Sequence, residues 1–561
     1  MKRLLLAAAA FGLAAGQLTG AAMVPAWSQS AKDLKADAKN TGSILTYGMG
    51  YGQQRYSPLK QINKDTVKRL VPVWNYSLSD TRGQESHPII LNGIMFLTTH
   101  AATVAINAMT GKEVWKTKVE YPKETPRVAC CGIVNRGVAI YQGKLYRTTL
   151  DAHVVALDAK TGKVLWKKKT IDFRAGYSQT VTPLIANGVV ITGMSGGEYG
   201  TRGFIDGWDP ATGKHLWRRY TIPGKGEKGN KTWPGNTWKH GGAPTWLTGT
   251  YDPKLDLVYW GTGNAGPWNP IVRKGDNLYT SSVLAIRPKT GEIVWHYQFS
   301  PNDPFDYDGV NELVLATLNV DGKNRDVVMQ ANRNGFFYVL DRKSGKLLRA
   351  NKYVKVTWAK SINMKTGRPI ESALTASVRK GKKEEIWPSA MGGKNWGPMA
   401  FDPVRKVAFA NTINVGWTYK AVDAKLRVGT FYFGAEFAWV WPKGNRGFLA
   451  AIDPLTGKSK WKAGTGIPRM GGVLATGGGL VFTGRMTGEF EAYDSDTGKR
   501  AWRFQTGSGI IGQPVTWSAN GRQYITVLSG VGGVYALFSG DKRLAKVPTG
   551  GSVWTFALMP K

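Results

Sequence analysis

Ala156–Trp166 reads ALDAKTGKVLW, and the fold follows from how often that pattern returns. The alternation through Val154 and Ala156 is that of a β-strand with one face buried. D-x-x-T-G then makes a tight turn, in which Asp158 caps the backbone and Gly162 takes a positive φ. The strand that follows opens on Lys or Glu and is expected to carry its Trp inward, burying a large ring and tying the indole N–H to a neighbouring sheet. The same unit ends at Trp115 (AINAMTGKEVW), Trp217 (GWDPATGKHLW), Trp295 (AIRPKTGEIVW), Trp461 (AIDPLTGKSKW) and Trp502 (AYDSDTGKRAW), and a degenerate copy, VLDRKSGKLLR, ends at Arg349. The turn glycines recur at roughly 40 to 55 residues or at longer, insertion-bearing intervals, the period of propeller blades. The interval from Gly345 to Gly457 is about two periods wide and holds FDPVRKVAFANT from Phe401. The expectation is all-β: a single eight-bladed propeller with docking tryptophans over residues 29–561. Val71–Tyr76 is expected to close the ring against the C-terminal segment.

The composition fits. Seventy glycines and 22 tryptophans in 561 residues mean many turns and one large aromatic used repeatedly, and 42% apolar residues support a full core. Lys2 and Arg3, the apolar run Leu4–Ala22 and the small residues around Ala26-Trp27-Ser28 read as a secretory signal over residues 1–28, with the mature chain starting at Gln29. No later stretch is long and apolar enough to span a membrane. An exported, periplasmic protein is therefore expected. The formal charge is +37, or about +35 without Lys2 and Arg3, and the basic residues are scattered, as at Lys167–Lys169. Export argues against a nucleic-acid partner, which leaves a solvated basic surface or an acidic electron carrier. The two cysteines, Cys130 and Cys131, are adjacent. A vicinal disulfide and a pair of free thiols both remain open from the residues alone, and the absence of C-x-x-C-H excludes covalently attached c-type haem.

One acidic stretch stands apart: PNDPFDYDGVNE, Pro301–Glu312. Asp306 and Asp308 would share a face in a strand, and in a loop ending at Gly309 would curl around one point. Such a pair suits a hard cation, or a base beside one, although an isolated D-x-D is equally a solvated turn. The six histidines show no ligand spacing, so a zinc-type site has no support.

Taken together, the D-x-x-T-G-K-x-x-W repeat, ACCGIVNRG (129–137), GTYDPKLDLVYWGTGNAGPWNP (249–270) and DPFDYDGVNE (303–312) resemble the quinoprotein alcohol dehydrogenases. These are eight-bladed periplasmic propellers carrying pyrroloquinoline quinone (PQQ), and the likeness covers essentially the whole mature chain. The resemblance implies that Cys130 and Cys131 form a disulfide over one face of the quinone, with Trp246 as the floor under the other. It implies cofactor contacts from Glu85, Arg136, Thr180, Ser195, Asn395 and Arg333, the last beside the reactive carbonyls. It makes Glu198 and Asn264 metal ligands, with Asp306 as the catalytic acid at the metal and Arg333 its catalytic partner. Calcium-dependent relatives generally carry a small uncharged residue two places after that acid, where lanthanide-dependent relatives carry Asp; Asp308 accordingly reads as a ligand of a trivalent lanthanide ion, with calcium as the alternative.

The implied activity is oxidation of short primary alcohols, ethanol-like or methanol, to aldehydes, with electrons passed to a soluble, acidic cytochrome c. Met470 stands where many relatives have Trp, which puts contacts on that side of the cofactor in doubt. GTFYFGAEFAWVW, Gly429–Trp441, resembles the ethanol-type branch, and Trp268 and Trp554 are further substrate-wall candidates. A non-catalytic envelope scaffold with the same repeat is the competing class. Oligomeric state, a homodimer included, is not written in any of these features.

Overall fold

The computed structural model describes residues 29–560, so the signal segment expected over 1–28 lies outside the described residues. Each repeat is the outer hairpin of a four-stranded antiparallel sheet. Ile89–Leu91, Ile94–Thr98, Ala102–Asn107 and Glu113–Lys118 make the first, and four more follow in simple meander order within residues 139–169, 184–220, 250–298 and 314–352. Ala400–Asp402, Val407–Ile413, Gly447–Ile452 and Ser459–Thr465 form the next, so FDPVRKVAFANT supplies the strands the repeat had lost. Val473–Thr476 through Arg500–Gln505 form another sheet, widened to five strands by Tyr56–Ser57 in parallel with Val473–Thr476. In the last, Val515–Ala519, Arg522–Ser529 and Ser552–Leu558 are completed by Leu70–Ser77, which pairs antiparallel with Ser552–Leu558. That closes the ring with both ends of the chain. Two smaller sheets, Ala359–Ile362 with Pro369–Glu371, and Glu384–Ile386 with Gly416–Ala421 and Ala435–Val440, belong to the insertions between 353 and 446.

The turn chemistry is as the sequence dictates. Asp158 Oδ1 accepts the backbone N–H of Lys160 (3.1 Å) and Thr161 (2.8 Å) and the Thr161 hydroxyl (2.8 Å), and Gly162 has φ +72°. The Trp reaches the neighbouring sheet as expected, but sideways and not inward. It lies on the outer, half-exposed strand of its sheet and packs sideways onto the turn glycine of the next sheet. A Cβ on Gly162 would stand 2.5 Å from the Trp115 ring, and the same contact joins Gly111 to Trp74, Gly213 to Trp166, Gly291 to Trp217, Gly345 to Trp295 and Gly498 to Trp461. The indole N–H of Trp115, Trp217, Trp461 and Trp502 donates to a carbonyl of the neighbouring unit, those of Ala159 (3.2 Å), Pro288 (3.0 Å), Ser495 (2.9 Å) and Leu70 (3.0 Å). Trp166 and Trp295 dock their rings, but their N–H groups find no acceptor. In the degenerate repeat Asn351 takes over: it packs under Gly457 and donates to Leu455 O at 2.8 Å.

On the strand Glu489–Asp494, Glu491 is buried against three arginines. Arg469 Nη2 and Arg485 Nε reach its Oε2 at 2.8 Å and Arg500 Nη1 its Oε1 at 3.1 Å. Burial alone would raise its pKa; the Arg485 and Arg469 contacts outweigh it and bring the carboxyl to about 2 from 4.5. A depressed folded-state pKa means that this contribution to stability is whole above pH 4.5 and is lost as the pH falls toward 2.

Two outcomes follow. Gly162→Ala combines the cost of a left-handed alanine with a clash on Trp115 and should destabilise by about 3 kcal/mol. Gly226→Ala, with φ +86° and no atom within 4 Å, should cost only about 1 kcal/mol; denaturant midpoints of the two variants measure the difference. Glu491→Gln should flatten the dependence of the melting temperature on pH between 4.5 and 2, which calorimetry at stepped pH checks.

Candidate active site

Asp303 shapes the acidic loop. Its carboxylate accepts the N–H of Phe305 (3.2 Å) and Tyr307 (2.8 Å), and Arg273, fully buried, donates to its carbonyl at 2.5 Å. Tyr307 turns into the core and donates to Pro388 O at 2.5 Å, while Asp306, at φ +62°, and Asp308 both face a cavity at the hub. The two-residue spacing thus does put both acids on one side.

Arg333 lies across the pair. Its Nη1 donates to Asp306 Oδ2 and to the Asp306 carbonyl, each at 3.0 Å, and its Nη2 reaches Asp308 Oδ2 at 3.2 Å. Asp308 is further fixed by the Asn264 N–H (2.5 Å) and the Trp246 indole N–H (3.1 Å). Gly263 must be glycine for this arrangement, since a Cβ there would stand 2.4 Å from Asp308 Oδ1. Glu198 completes the acidic set. Burial first, and then the Asp308 charge, push its pKa up to about 7. Burial also raises Asp306, with Arg333 opposing and Asp308 and Glu198 adding to the rise, and it raises Asp308 against the same arginine. Desolvation works against the Arg333 charge, yet the surrounding carboxylates hold it above the ordinary arginine value.

Two buried carboxylates therefore share one guanidinium, with the half-buried Glu198 carboxylate in the same field. Asp306 Oδ1 and Asn264 Oδ1 are buried with no hydrogen-bond partner, and Asn264 Oδ1 sits close behind Gly197, next to Glu198. Among the described residues no three His, Cys, Asp or Glu side chains cage an ion unaided. Arg333 bridges Asp306 and Asp308, and the fourth donor is the amide oxygen of Asn264. The excess negative charge, the all-oxygen donors and the two orphaned oxygens fit a hard cation.

The cavity encloses about 1050 Å³ of empty space, part of it open to solvent. Cys130 and Cys131 form a disulfide and line it, as does Trp246. Arg136 lies over the rings of Trp246 (4.9 Å) and Trp396 (5.2 Å), pairs with Glu85 (2.8 Å) and donates to Thr180 Oγ1 (2.5 Å), which in turn meets Ser195 Oγ at 3.2 Å. Arg136 Nε is left without a partner. Flat aromatic walls with a cluster of hydroxyl and guanidinium donors at one end suit a planar ring bearing carboxylates. Glu85, Cys130, Cys131, Arg136, Thr180, Ser195, Glu198, Trp246, Asp306, Asp308, Arg333 and Asn395 all line this one cavity, with Asn264 immediately behind it.

Sequence reasoning missed Trp396, which follows Asn395 directly and, like Trp246, lies outside the repeat register. It also missed the aromatic collar at the mouth: Phe433, Phe437 and Trp439 from the Gly429–Trp441 stretch, and Phe538 from the helix Gly533–Phe538. Trp439 donates its indole N–H to Phe538 O at 2.9 Å, joining the two sides of the collar. Trp268 does line the cavity; Trp554 does not, and packs against Phe504 on the closing strand. Met470 is buried in the apolar cluster that backs Trp246 and Trp396 and is not part of the cavity wall.

Hub geometry of this kind, a flat slot beside an acidic oxygen nest on a ring of sheets, defines a quinone-binding propeller dehydrogenase. Comparison with known proteins agrees. The family model described as PQQ: Glucose/ethanol/alcohol dehydrogenase, beta-propeller domain matches residues 45–366 and 434–525. Quinoprotein alcohol dehydrogenase PedH of Pseudomonas putida is 41% identical over 97% of this chain and 96% of its own length. A quinoprotein ethanol dehydrogenase of Pseudomonas aeruginosa is 39% identical over 98% and 95%. A solved europium-containing methanol dehydrogenase superposes with a TM-score of 0.90 at 36% identity, covering 94% of this chain and all of the other. The chain belongs to the PQQ-dependent alcohol dehydrogenase family.

Gly263→Ala should displace the Asp308 carboxylate by about 1 Å, a shift that typically costs on the order of 100-fold in rate. Loss of alcohol oxidation with an unchanged circular dichroism spectrum is the expected result.

Proposed function

We propose that the chain is a periplasmic, eight-bladed quinoprotein dehydrogenase that oxidises short primary alcohols to aldehydes, with PQQ and a lanthanide(III) ion at the hub and a soluble acidic cytochrome c as electron acceptor. The observation that carries the metal reading is Asp308: a third carboxylate, itself buried, beside Asp306 and Glu198, where one guanidinium already stands. An ion of charge three answers that excess better than one of charge two, and a further oxygen ligand suits its larger coordination demand. The similar europium-containing methanol dehydrogenase supports the same choice. Calcium is the second reading, favoured by the bridging of Asp306 and Asp308 by Arg333, which already offsets one charge.

Glu198, Asn264, Asp306 and Asp308 would hold the ion; Arg136, Thr180, Ser195, Glu85 and Asn395 would hold the quinone between the disulfide and Trp246. When bound, the quinone supplies the two-electron acceptor and the ion the Lewis acidity that polarises it. Asp306 takes the hydroxyl proton of the alcohol: its Oδ1 is free of protein partners, and Arg333 at 3.0 Å from Oδ2 favours its ionised form against the penalty of burial. The Arg333 guanidinium also remains as a donor for negative charge developing nearby. Trp268, Phe433, Phe437, Trp439 and Phe538 would seat the carbon chain of the alcohol and keep bulk water from the proton transfer.

The seven four-stranded sheets and one five-stranded sheet of the described residues support an eight-blade count and a single domain from residue 29 onward. The basic surface, +37 in formal charge, would steer an acidic acceptor, and the Leu4–Ala22 leader would send the chain to the periplasm.

The deciding experiment strips the protein of metal and reloads it with PQQ and either La³⁺ or Ca²⁺. Alcohol-dependent reduction of an artificial acceptor should appear with La³⁺ and remain below about a tenth of that with Ca²⁺. In Asp308→Ala the La³⁺-supported rate should fall at least 100-fold, on the scale of losing a first metal ligand or its orientation. Equal rates with both ions in the wild type, or full La³⁺ activity in the variant, would overturn the lanthanide assignment.

A further inference from the structure

A buried ion pair near the hub is used by none of the chemistry above. Lys394 Nζ donates to Glu312 Oε2 at 2.7 Å, with the two side chains 1% and 3% exposed. Such a pair is poor as a source of stability, because the desolvation of both charges offsets most of their attraction, and an apolar or neutral pair of similar shape does as well. Its connections indicate another use. Glu312 ends the segment that carries Asp306 and Asp308, and its second oxygen accepts the Met399 N–H at 2.8 Å. Lys394 also donates to Asn395 O at 3.1 Å, and the residue before it, Gly393, donates its N–H to Arg333 O at 2.8 Å. Gly392 presses on Arg333 so closely that a Cβ there would lie 2.8 Å from Arg333 Cγ.

These contacts close a circuit. Asp306 and Asp308 hold the Arg333 guanidinium; the Arg333 carbonyl holds Gly393; Lys394 holds Glu312, six residues on from Asp306. Gln330 and Asn311 already tie the acidic segment to the strand leading to Arg333, through Gln330 Nε2 to Gly309 O (3.0 Å) and Asn311 Nδ2 to Ala331 O (2.8 Å). The third member of the circuit, residues 389–399, carries Ala390, Met391, Asn395 and Trp396 of the cavity wall; Tyr307 to Pro388 O ties its start to the acidic segment, and the Lys394–Glu312 pair ties it beside Asn395 and Trp396. We propose that Lys394 and Glu312 are positioning residues, which lock the Asn395–Trp396 wall of the cradle to the Asp306–Asp308 loop and so set the spacing between bound quinone and proton acceptor. The proposal rests on the alcohol dehydrogenase reading for its effect on turnover, but not for its effect on quinone binding.

The test uses full-length protein carrying Lys394→Met together with Glu312→Gln, which removes both charges at once and leaves an acceptor for the Met399 N–H. Its melting temperature should stay within a few degrees of wild type. PQQ affinity, read from quenching of tryptophan fluorescence, should weaken at least tenfold. In the reconstituted enzyme kcat per bound quinone should fall at least 30-fold with KM for the alcohol changed less than threefold, and the absorbance envelope of the bound quinone should change. PQQ affinity and kcat within threefold of wild type, with the same envelope, would overturn the positioning role. If the double variant does not fold, Lys394→Arg, which keeps the charge but alters the reach, should fold and lower kcat about tenfold; a wild-type kcat there would overturn it equally. Should the wild type oxidise no alcohol with either ion, the dehydrogenase reading fails, and the fluorescence titration alone decides the pair.

Discussion

Everything at the hub depends on a contact made at the periphery: a tryptophan ring lying flat against a turn glycine of the neighbouring sheet. A four-stranded sheet has two apolar faces and cannot bury either alone, so each must be covered by a neighbour. The glycine is what permits the approach, since any Cβ at Gly162 or Gly291 would enter the space of Trp115 or Trp217. The tryptophan sets the angle between successive sheets, and that angle, repeated, brings the inner strands around a common axis. Where the ring is missing at Arg349, Asn351 preserves the spacing with a polar substitute, packing under Gly457 and bonding Leu455 O. The closing sheet has no such freedom: Leu70–Ser77 must come from the other end of the chain to meet Ser552–Leu558, which makes the ring cooperative over its whole length.

Rigidity of that ring explains how the hub tolerates its charges. Glu198, Asp306 and Asp308 sit together at the hub; the Asp308 charge raises the proton affinity of Glu198 and of Asp306, and Glu198 adds to that of Asp306. A loose scaffold would relieve the repulsion by letting a carboxylate swing to solvent. Here Asp308 is pinned by the Asn264 N–H, the Trp246 indole and the bulk-free Gly263, while Asp306 is set in a left-handed backbone conformation by the cap that Asp303 provides. The strain of like charges is thus held in place rather than relaxed, which is the condition under which a cation is bound tightly and a carboxylate is kept ready to take a proton.

The ring was legible in the sequence because its determinants are local: a cap, a glycine and a tryptophan within eleven residues. The direction of the tryptophan was misjudged for the same reason. Inward and sideways burial look alike in a one-dimensional pattern, and only the neighbouring glycine, some fifty residues on, distinguishes them. The D-x-D pair was legible as a shared face, but the capping role of Asp303 was not, since a side chain that caps its own loop leaves no long-range signature. Trp396 could have been found by the argument that singled out Trp246, an aromatic outside the repeat register. The collar could not: Trp439 and Phe538 are 99 residues apart, and nothing local announces the bond from the Trp439 indole to Phe538 O that joins them.

The family model matches up to residue 366 and resumes at 434, and the stretch it passes over holds the Lys394–Trp396 wall, while the collar begins at Phe433, on the edge of that stretch. The division has a physical sense. Carboxylates, arginines and the disulfide sit on loops anchored directly in the meander sheets, where a displacement would cost the chemistry. Within that stretch Ala400–Asp402 and Val407–Ile413 are strands of the ring, the collar side belongs to the small sheet of Glu384–Ile386, Gly416–Ala421 and Ala435–Val440, and the wall between is tied to the acidic segment and to Arg333 by Tyr307 to Pro388 O, Gly393 to Arg333 O and Lys394 to Glu312. The collar can therefore vary with its small sheet without disturbing the acidic nest, whereas the wall is held to that nest. Choice of alcohol would then be adjustable separately from proton transfer, while quinone placement stays coupled to the acidic segment through the bonds of the wall.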